Sequence, residues 1–159
     1  MFDPIDLKIL DALQRDARIA NVELARQVKM APSAVLERVR KLEERGLIQG
    51  YEARLDAKAL GLGLAAFVFV RTDERTGSDA TSKALAAIPE IQEIHDVAGE
   101  DCFLVKVRAL DTEALGRVLR DRIGAIPSIR STRTTIVLQT LKETATIPLP
   151  GFDREASDA

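Results

Sequence analysis

The sequence predicts an α+β chain, with helices first and a sheet after. Three observations carry this. Apolar residues recur at helical spacing in three stretches before residue 50. From Leu64 onward, short apolar runs with strand alternation are interleaved with two further helical patterns. Finally, the segment Leu85-x-x-Ile88-Pro89-x-Ile91 returns as Ile123-x-x-Ile126-Pro127-x-Ile129, each copy ending a helix, turning at proline and starting a strand. Two such strand-helix-strand units give the split βαβ arrangement of a ferredoxin-like βαββαβ sheet.

Taken in order, the first helix is signalled by Asp3 as N-cap and Pro4 at the favoured first position, followed by Ile5, Ile9, Leu10 and Leu13. Its pattern fades between Asp16 and Arg18. A short second helix follows Asn21, a good cap, and carries Leu24, Ala25 and Val28. Lys29-Met30-Ala31 makes a tight connection, and Pro32 opens a third helix with Val35, Val39 and Leu42 on one side and Gly46 as its C-terminal stop. Leu47 to Tyr51 reads as a short strand and turn, and a linker runs on through Gly61 and Gly63. The second half reads as a strand over Ala65–Val70, a helix over Ser78–Ala87 and strands over Ile91–Val97 and Cys102–Ala109. A helix capped by Asp111 or Thr112 follows, then a last strand over Ile129–Leu141. From Pro148 the tail has no periodicity and is expected to fray.

Composition narrows the function classes. Hydrophobic residues at 46% allow a core, and aromatics at 4% with no Trp leave the packing to aliphatic side chains. The net charge of −2 gives no global support for a nucleic-acid partner, so only a local basic face could supply it. A single cysteine excludes an intramolecular disulfide and fits a reducing compartment. No apolar run is long enough to span a bilayer and no leader pattern opens the chain, which leads to the expectation of a cytoplasmic protein with no membrane partner.

The constellation richest in chemistry lies between Asn21 and Gly46. A short helix, a three-residue turn and a longer helix are the parts of a helix-turn-helix. Advancing about 100° per residue, the third helix gathers Val35, Val39 and Leu42 on one side, with Leu36 at the edge. Ser33, Ala34, Glu37, Arg38, Lys41 and Arg45 fall opposite, with Arg40 at the flank. Small residues at the start allow close approach to base edges. Arg can pair with guanine, Glu can accept from cytosine, and Arg40 suits a phosphate. The expected DNA-contacting set is Asn21, Ser33, Ala34, Glu37, Arg38, Arg40 and Lys41. The competing reading is a solvated amphipathic helix, because Glu37, Glu43 and Glu44 accompany the cations.

The run DLKILDALQRDARIANVELARQV, followed by PSAVLERVRKLEERGLIQGYEARLD, resembles the Lrp/AsnC ("feast/famine") family of prokaryotic regulators. IPEIQEIHDVAGEDCFLVKVRALD resembles that family's ligand-sensing domain, and IPSIRSTRTTIVLQTLK its final strand. The resemblance covers about Pro4 to Lys142. It implies a winged helix-turn-helix over residues 1–50, a connecting strand and linker over 51–63, a ferredoxin-like ligand-sensing and oligomerisation domain over 64–142, and a tail over 143–159. It implies double-stranded DNA as partner, nucleoid association, homodimers that build tetramers or octamers, and an amino acid or related metabolite as effector. The effector loop would be Gly99, Glu100, Asp101 and Cys102, joined by Thr132 and Thr134 of the last strand. Two departures stand out. Ala31 replaces the Ser that often precedes the proline, so a side-chain cap is missing, and Cys102-Phe103 replaces an acidic-aromatic pair.

No catalytic residue, metal site or cofactor is expected. His95 is the only histidine and has no Cys or His cluster beside it. Cys102 beside Asp101 reads as packing rather than as a nucleophile, because the neighbouring carboxylate disfavours a thiolate. Glu100 and Asp101 are adjacent on a turn, poorly placed to converge on one substrate atom. Siroheme decarboxylases resemble the same two-domain pattern, but a tetrapyrrole enzyme needs more histidine than this sequence holds. A third reading, a DNA compactor with little sequence preference, differs in leaving continuous footprints.

Overall fold

The computed structural model describes residues 2–75 and 78–152. The chain forms two compact units. One comprises the chain up to Arg54 together with the chain from Lys142, and the other is Leu55–Leu141.

The first unit holds three helices: α1 (Pro4–Arg15), α2 (Asn21–Val28) and α3 (Pro32–Glu44). Asp3 caps α1 through its carboxylate, which accepts from Ile5 N at 2.7 Å and Asp6 N at 3.4 Å. Asn21 is not the cap of α2. Ala20 holds that place without a side-chain bond, and Asn21 is already helical. Lys29 turns the chain out of α2 with a left-handed φ of 57°. The stop of α3 is a Schellman motif: Gly46 takes φ 70°, its N–H bonds Glu43 O at 2.8 Å, and Leu47 N bonds Leu42 O at 2.9 Å. Ile9, Ala12, Leu24, Ala25, Val28, Val35 and Leu42 form the core.

Beyond Gly46 the structure departs from expectation. Leu47 to Tyr51 forms no strand, and no ladder is described between Gly50 and Asp56. A strand needs a second backbone to pair with, and none of the sheet's ladders reaches this stretch. The tail expected to fray begins at Pro148, and its residues 153–159 lie outside the described residues; just ahead of it the chain is tied to α1. Ile147 N donates to Gln14 Oε1 at 2.8 Å and Gln14 Nε2 donates back to Ile147 O at 3.3 Å. Arg54 donates to Glu143 O, and Phe152 is half-buried, its N–H bonding Leu149 O at 3.2 Å.

The second unit is a four-stranded antiparallel sheet with helices on one face. Its elements are β1 (Leu64–Thr72), α4 (Ala80–Ala86), β2 (Ile91–Asp96), β3 (Phe103–Ala109), α5 (Thr112–Arg117) and β4 (Ile129–Ile136). A π-helical stretch, Val118–Ile123, extends α5. The order β2-β3-β1-β4 is that of a ferredoxin-like sheet. The recurring isoleucine-proline segment makes the same turn twice. Ile88 N bonds Leu85 O at 3.0 Å and Ile91 N bonds Ile88 O at 3.1 Å; Ile126 N bonds Ile123 O and Ile129 N bonds Ile126 O, both at 3.1 Å. The last strand is shorter than expected: it ends at Ile136, with one further bond from Val137 N to Ala65 O. The N-terminal edge of α4 falls at Ala80, and Ser78 and Asp79 precede it.

Alternation sorts the sheet's two faces. Ala66, Val68, Val70, Val105 and Val107 face the helices and are buried with Leu85, Leu115 and Ile123. Phe67, Phe69, Leu104, Lys106 and Arg108 take the opposite face, where they are half-buried.

Candidate nucleic-acid interface and ligand loop

What positions α3 is a pair of contacts that spend two of the residues expected to touch DNA. The Asn21 carboxamide donates to Pro32 O at 2.8 Å, tying the start of α2 to the start of α3. Arg38 turns back toward α1. Its guanidinium lies 2.6 Å from Asp6 Oδ1 and 3.3 Å from Asp3 Oδ2, with 29% of the side chain exposed. The hydrogen bond that Arg38 donates to Asp6 raises the Arg38 pKa against the opposing effect of burial. The bond from Ile5 N, followed in turn by Asp6 N and the Arg38 charge, holds the Asp3 carboxyl below its ordinary value. These two residues therefore build the platform on which α3 rests.

The outward face of α3 carries Ser33, Leu36, Glu37, Arg40 and Lys41, all exposed, with Ala34 half-buried at the margin. The cations are locally neutralised. Arg40 pairs with Glu44 at 3.1 Å and Lys41 with Glu37 at 3.5 Å, both one turn along the helix. Such exposed pairs are worth little and exchange readily for another acceptor. Leu36 is 61% exposed, and the helical wheel left it at the edge of the apolar stripe. Its signal in the sequence was its place one turn after Ser33 and one turn before Arg40.

In the sheet unit, the loop between β2 and β3 contains Gly99 at φ 137°, a conformation side-chain-bearing residues rarely adopt. Nothing would meet a Cβ there, so the restriction is conformational rather than steric. Cys102 closes the loop: its N–H bonds Val70 O at 2.8 Å, and its carbonyl accepts from Val97 N at 3.0 Å. The Cys102 thiol points to Thr72 O at 3.8 Å. Asp101 pairs with Arg133 at 3.0 Å, and the Arg133 guanidinium lies 4.0 Å from the centre of the Phe69 ring. Thr132 pairs with Val70 and Thr134 with Val68, which puts both threonines on the helix side of the sheet. Arg133 lies on the other side with Phe69. The structure thus joins Asp101 to Arg133 and Phe69, neither of which is in the expected effector set, and sends Thr132 and Thr134 to the opposite face. Strand alternation between the two threonines was the available signal.

His95 lies on the open sheet face opposite Leu104, with Nε2 3.3 Å from Glu93 Oε2. The Lys106 hydrogen bond is the main reason the Glu93 carboxyl is held low. Among the described residues no group of three or more His, Cys, Asp or Glu could hold a metal ion, and no helix is long and apolar enough to cross a membrane.

A helix-turn-helix followed by a β2-β3-β1-β4 sheet is matched by two family models. Residues 2–49 match the winged helix-turn-helix DNA-binding model, and residues 65–147 match the Lrp/AsnC ligand binding domain. The chain belongs to the Lrp/AsnC family. This family member is 39% identical over 147 residues to the HTH-type transcriptional regulator FL11 of Pyrococcus horikoshii, covering 92% of this chain and 96% of that protein. It is 40% identical over 144 residues to the leucine-responsive regulatory protein of Escherichia coli K12, covering 89% and 87%. Among solved structures, a transcriptional regulator of Neisseria meningitidis in complex with L-methionine superimposes with a TM-score of 0.87 at 30% identity, covering 94% of this chain and 98% of that one. Escherichia coli AsnC superimposes with a TM-score of 0.86 at 30% identity, covering 93% and 99%. The Lrp/AsnC assignment places the chain among transcriptional regulators rather than enzymes.

Proposed function

We propose that this Lrp/AsnC protein is a cytoplasmic, nucleoid-associated regulator that inserts α3 into the major groove of specific operators. We further propose that an amino acid or related metabolite bound at the sheet unit modulates it. The observation that carries the DNA reading is the division of α3. Its inner side is fixed by Val35, Leu42, the Asn21–Pro32 bond and the Arg38–Asp6 pair, while Ser33, Glu37, Arg40 and Lys41 stay exposed along the other side. A helix locked on one side and polar on the other can be presented rigidly to base edges. Duplex phosphates would displace Glu44 and Glu37 as partners of Arg40 and Lys41, giving salt-dependent affinity. Asn21 and Arg38 serve this function by holding the helix, and Ala34 allows close approach at its margin.

For the effector, Gly99, Glu100, Asp101 and Cys102 supply a turn with carboxylates for an ammonium group and backbone N–H donors for a carboxylate. Arg133 lies within reach of Asp101. Thr132 and Thr134 lie on the helix side of the sheet, away from Arg133, and are left out of this proposed set. Two copies are proposed to cover each other's open sheet faces, forming homodimers that assemble further into tetramers or octamers. The relatives solved with L-methionine support an amino acid as the class of effector.

Genomic footprinting of the full chain, with and without a panel of amino acids, tests both parts. Discrete protected sites whose occupancy changes with one amino acid are expected. Continuous protection, or none, would overturn the operator reading.

A further inference from the structure

We infer that the outward face of α3 reads pyrimidines, with Leu36 seated on a thymine C5-methyl group and Glu37 accepting from a cytosine amino group. This rests on the DNA-binding reading above and deepens it. Leu36 is 61% exposed although the core beneath α3 is complete, with Val35 at 0% and Leu42 at 1%. A lone exposed leucine is ordinary. What distinguishes this one is its surroundings: Ser33 precedes it by one turn, Glu37 adjoins it and Arg40 follows by one turn, all exposed on the helix that reads the groove.

Base-edge chemistry then selects the partner. In the major groove thymine alone presents an apolar group, and every other edge presents donors or acceptors that a leucine would desolvate without replacing. Glu37 is an acceptor only while ionised. It is repelled by the two acceptors of guanine; adenine offers its N6 amino donor only with the N7 acceptor beside it, whereas cytosine offers its N4 amino group without an adjoining acceptor. Arg38, the side chain best suited to guanine by sequence, is committed to Asp6 and Asp3. The first two turns of the outward face, Ser33 to Glu37, therefore offer a hydroxyl, an apolar branch and a carboxylate, with no cation until Arg40.

The test uses the full-length protein and duplexes selected from a random pool. Each thymine of the selected half-site is replaced in turn by deoxyuridine, which removes only the methyl group. One position should weaken binding of the unaltered protein about fourfold per half-site, the weight of one buried methyl. The same replacement should have no effect on Leu36→Ala, while Leu36→Met keeps the sensitivity. Glu37→Gln should relax the cytosine preference at the neighbouring position. Leu36 is exposed, so unchanged melting of its variants is expected and separates recognition from folding. Neutral deoxyuridine at every position, or an unchanged penalty in Leu36→Ala, would overturn the inference while leaving the operator reading intact. Failure to select any discrete sequence would remove both.

Discussion

The two units bury their apolar residues differently. In the helical unit, Ile9, Leu24, Val28, Val35 and Leu42 meet in one interior, and each helix turns a polar side outward. The sheet unit buries one face under α4 and α5 and leaves the other with Phe67, Phe69 and Leu104 half-covered. The first unit has closed its core within one chain, whereas the second retains apolar surface that a further sheet would cover. One unit is thus suited to present a helix and the other to assemble.

The largest expected effect attacks the closed core. Leu42→Ala should cost about 2–5 kcal/mol in the helical unit, as filled leucine sites do when truncated. The chain has one Tyr and no Trp, and Tyr51 belongs to the helical unit, so tyrosine fluorescence in urea follows that unit. Its midpoint should fall sharply while sheet signals in far-ultraviolet dichroism keep theirs; parallel shifts would show that the two cores do not stand apart.

Next, Phe69→Glu places a charge on the open sheet face. Sedimentation should show the proposed homodimer dissociating about tenfold more readily, as burying an unpaired charge requires, with the fold retained. An unaltered mass would overturn the proposal that the open sheet face joins two copies.

A smaller contrast separates two arginines two positions apart on α3. Arg38→Ala loses both Asp6 and Asp3 and should lower stability by about 1–2 kcal/mol. Arg40→Ala should leave stability within about 0.5 kcal/mol, because its partner is exposed, yet weaken duplex binding and reduce its salt dependence. Reversal of these two outcomes, read by melting and gel shift, would exchange their roles.

The smallest effect concerns acid. The Asp3 carboxyl is held below its ordinary value of 3.8, so its contribution to the cap of α1 is complete above that pH. It is lost as pH falls through the lowered native value. Asp3→Asn keeps a capping oxygen and should flatten the stability of the helical unit against pH in that range. An unchanged acid profile would show that other carboxylates govern it.

These contrasts also explain what the sequence could reveal. Local chemistry was legible: Asp3-Pro4 at the start of α1, Gly46 at the end of α3, and the twin isoleucine-proline turns that set the ferredoxin-like sheet. What the sequence hides are residues whose partners lie far along the chain. Asn21 has the chemistry of a cap but spends its amide on Pro32 O, eleven positions on. Arg38 lies on the polar side of its own helix, but a helical wheel does not show that Asp6 of α1 flanks that side. Leu47 to Tyr51 has strand composition and lacks a neighbouring backbone to pair with. Arg133 was hidden among threonines because only the register with Phe69 and the reach of Asp101 reveal its surroundings.

The paired bonds between Gln14 and Ile147 make the helical unit discontinuous in the chain. Its opening helix meets its closing segment only after the whole sheet has been synthesised, so an isolated N-terminal fragment lacks a piece of its own fold. Any shift in the backbone leaving β4 can therefore reach α1 through this hydrogen-bonded tether as well as through the covalent linker after Arg54.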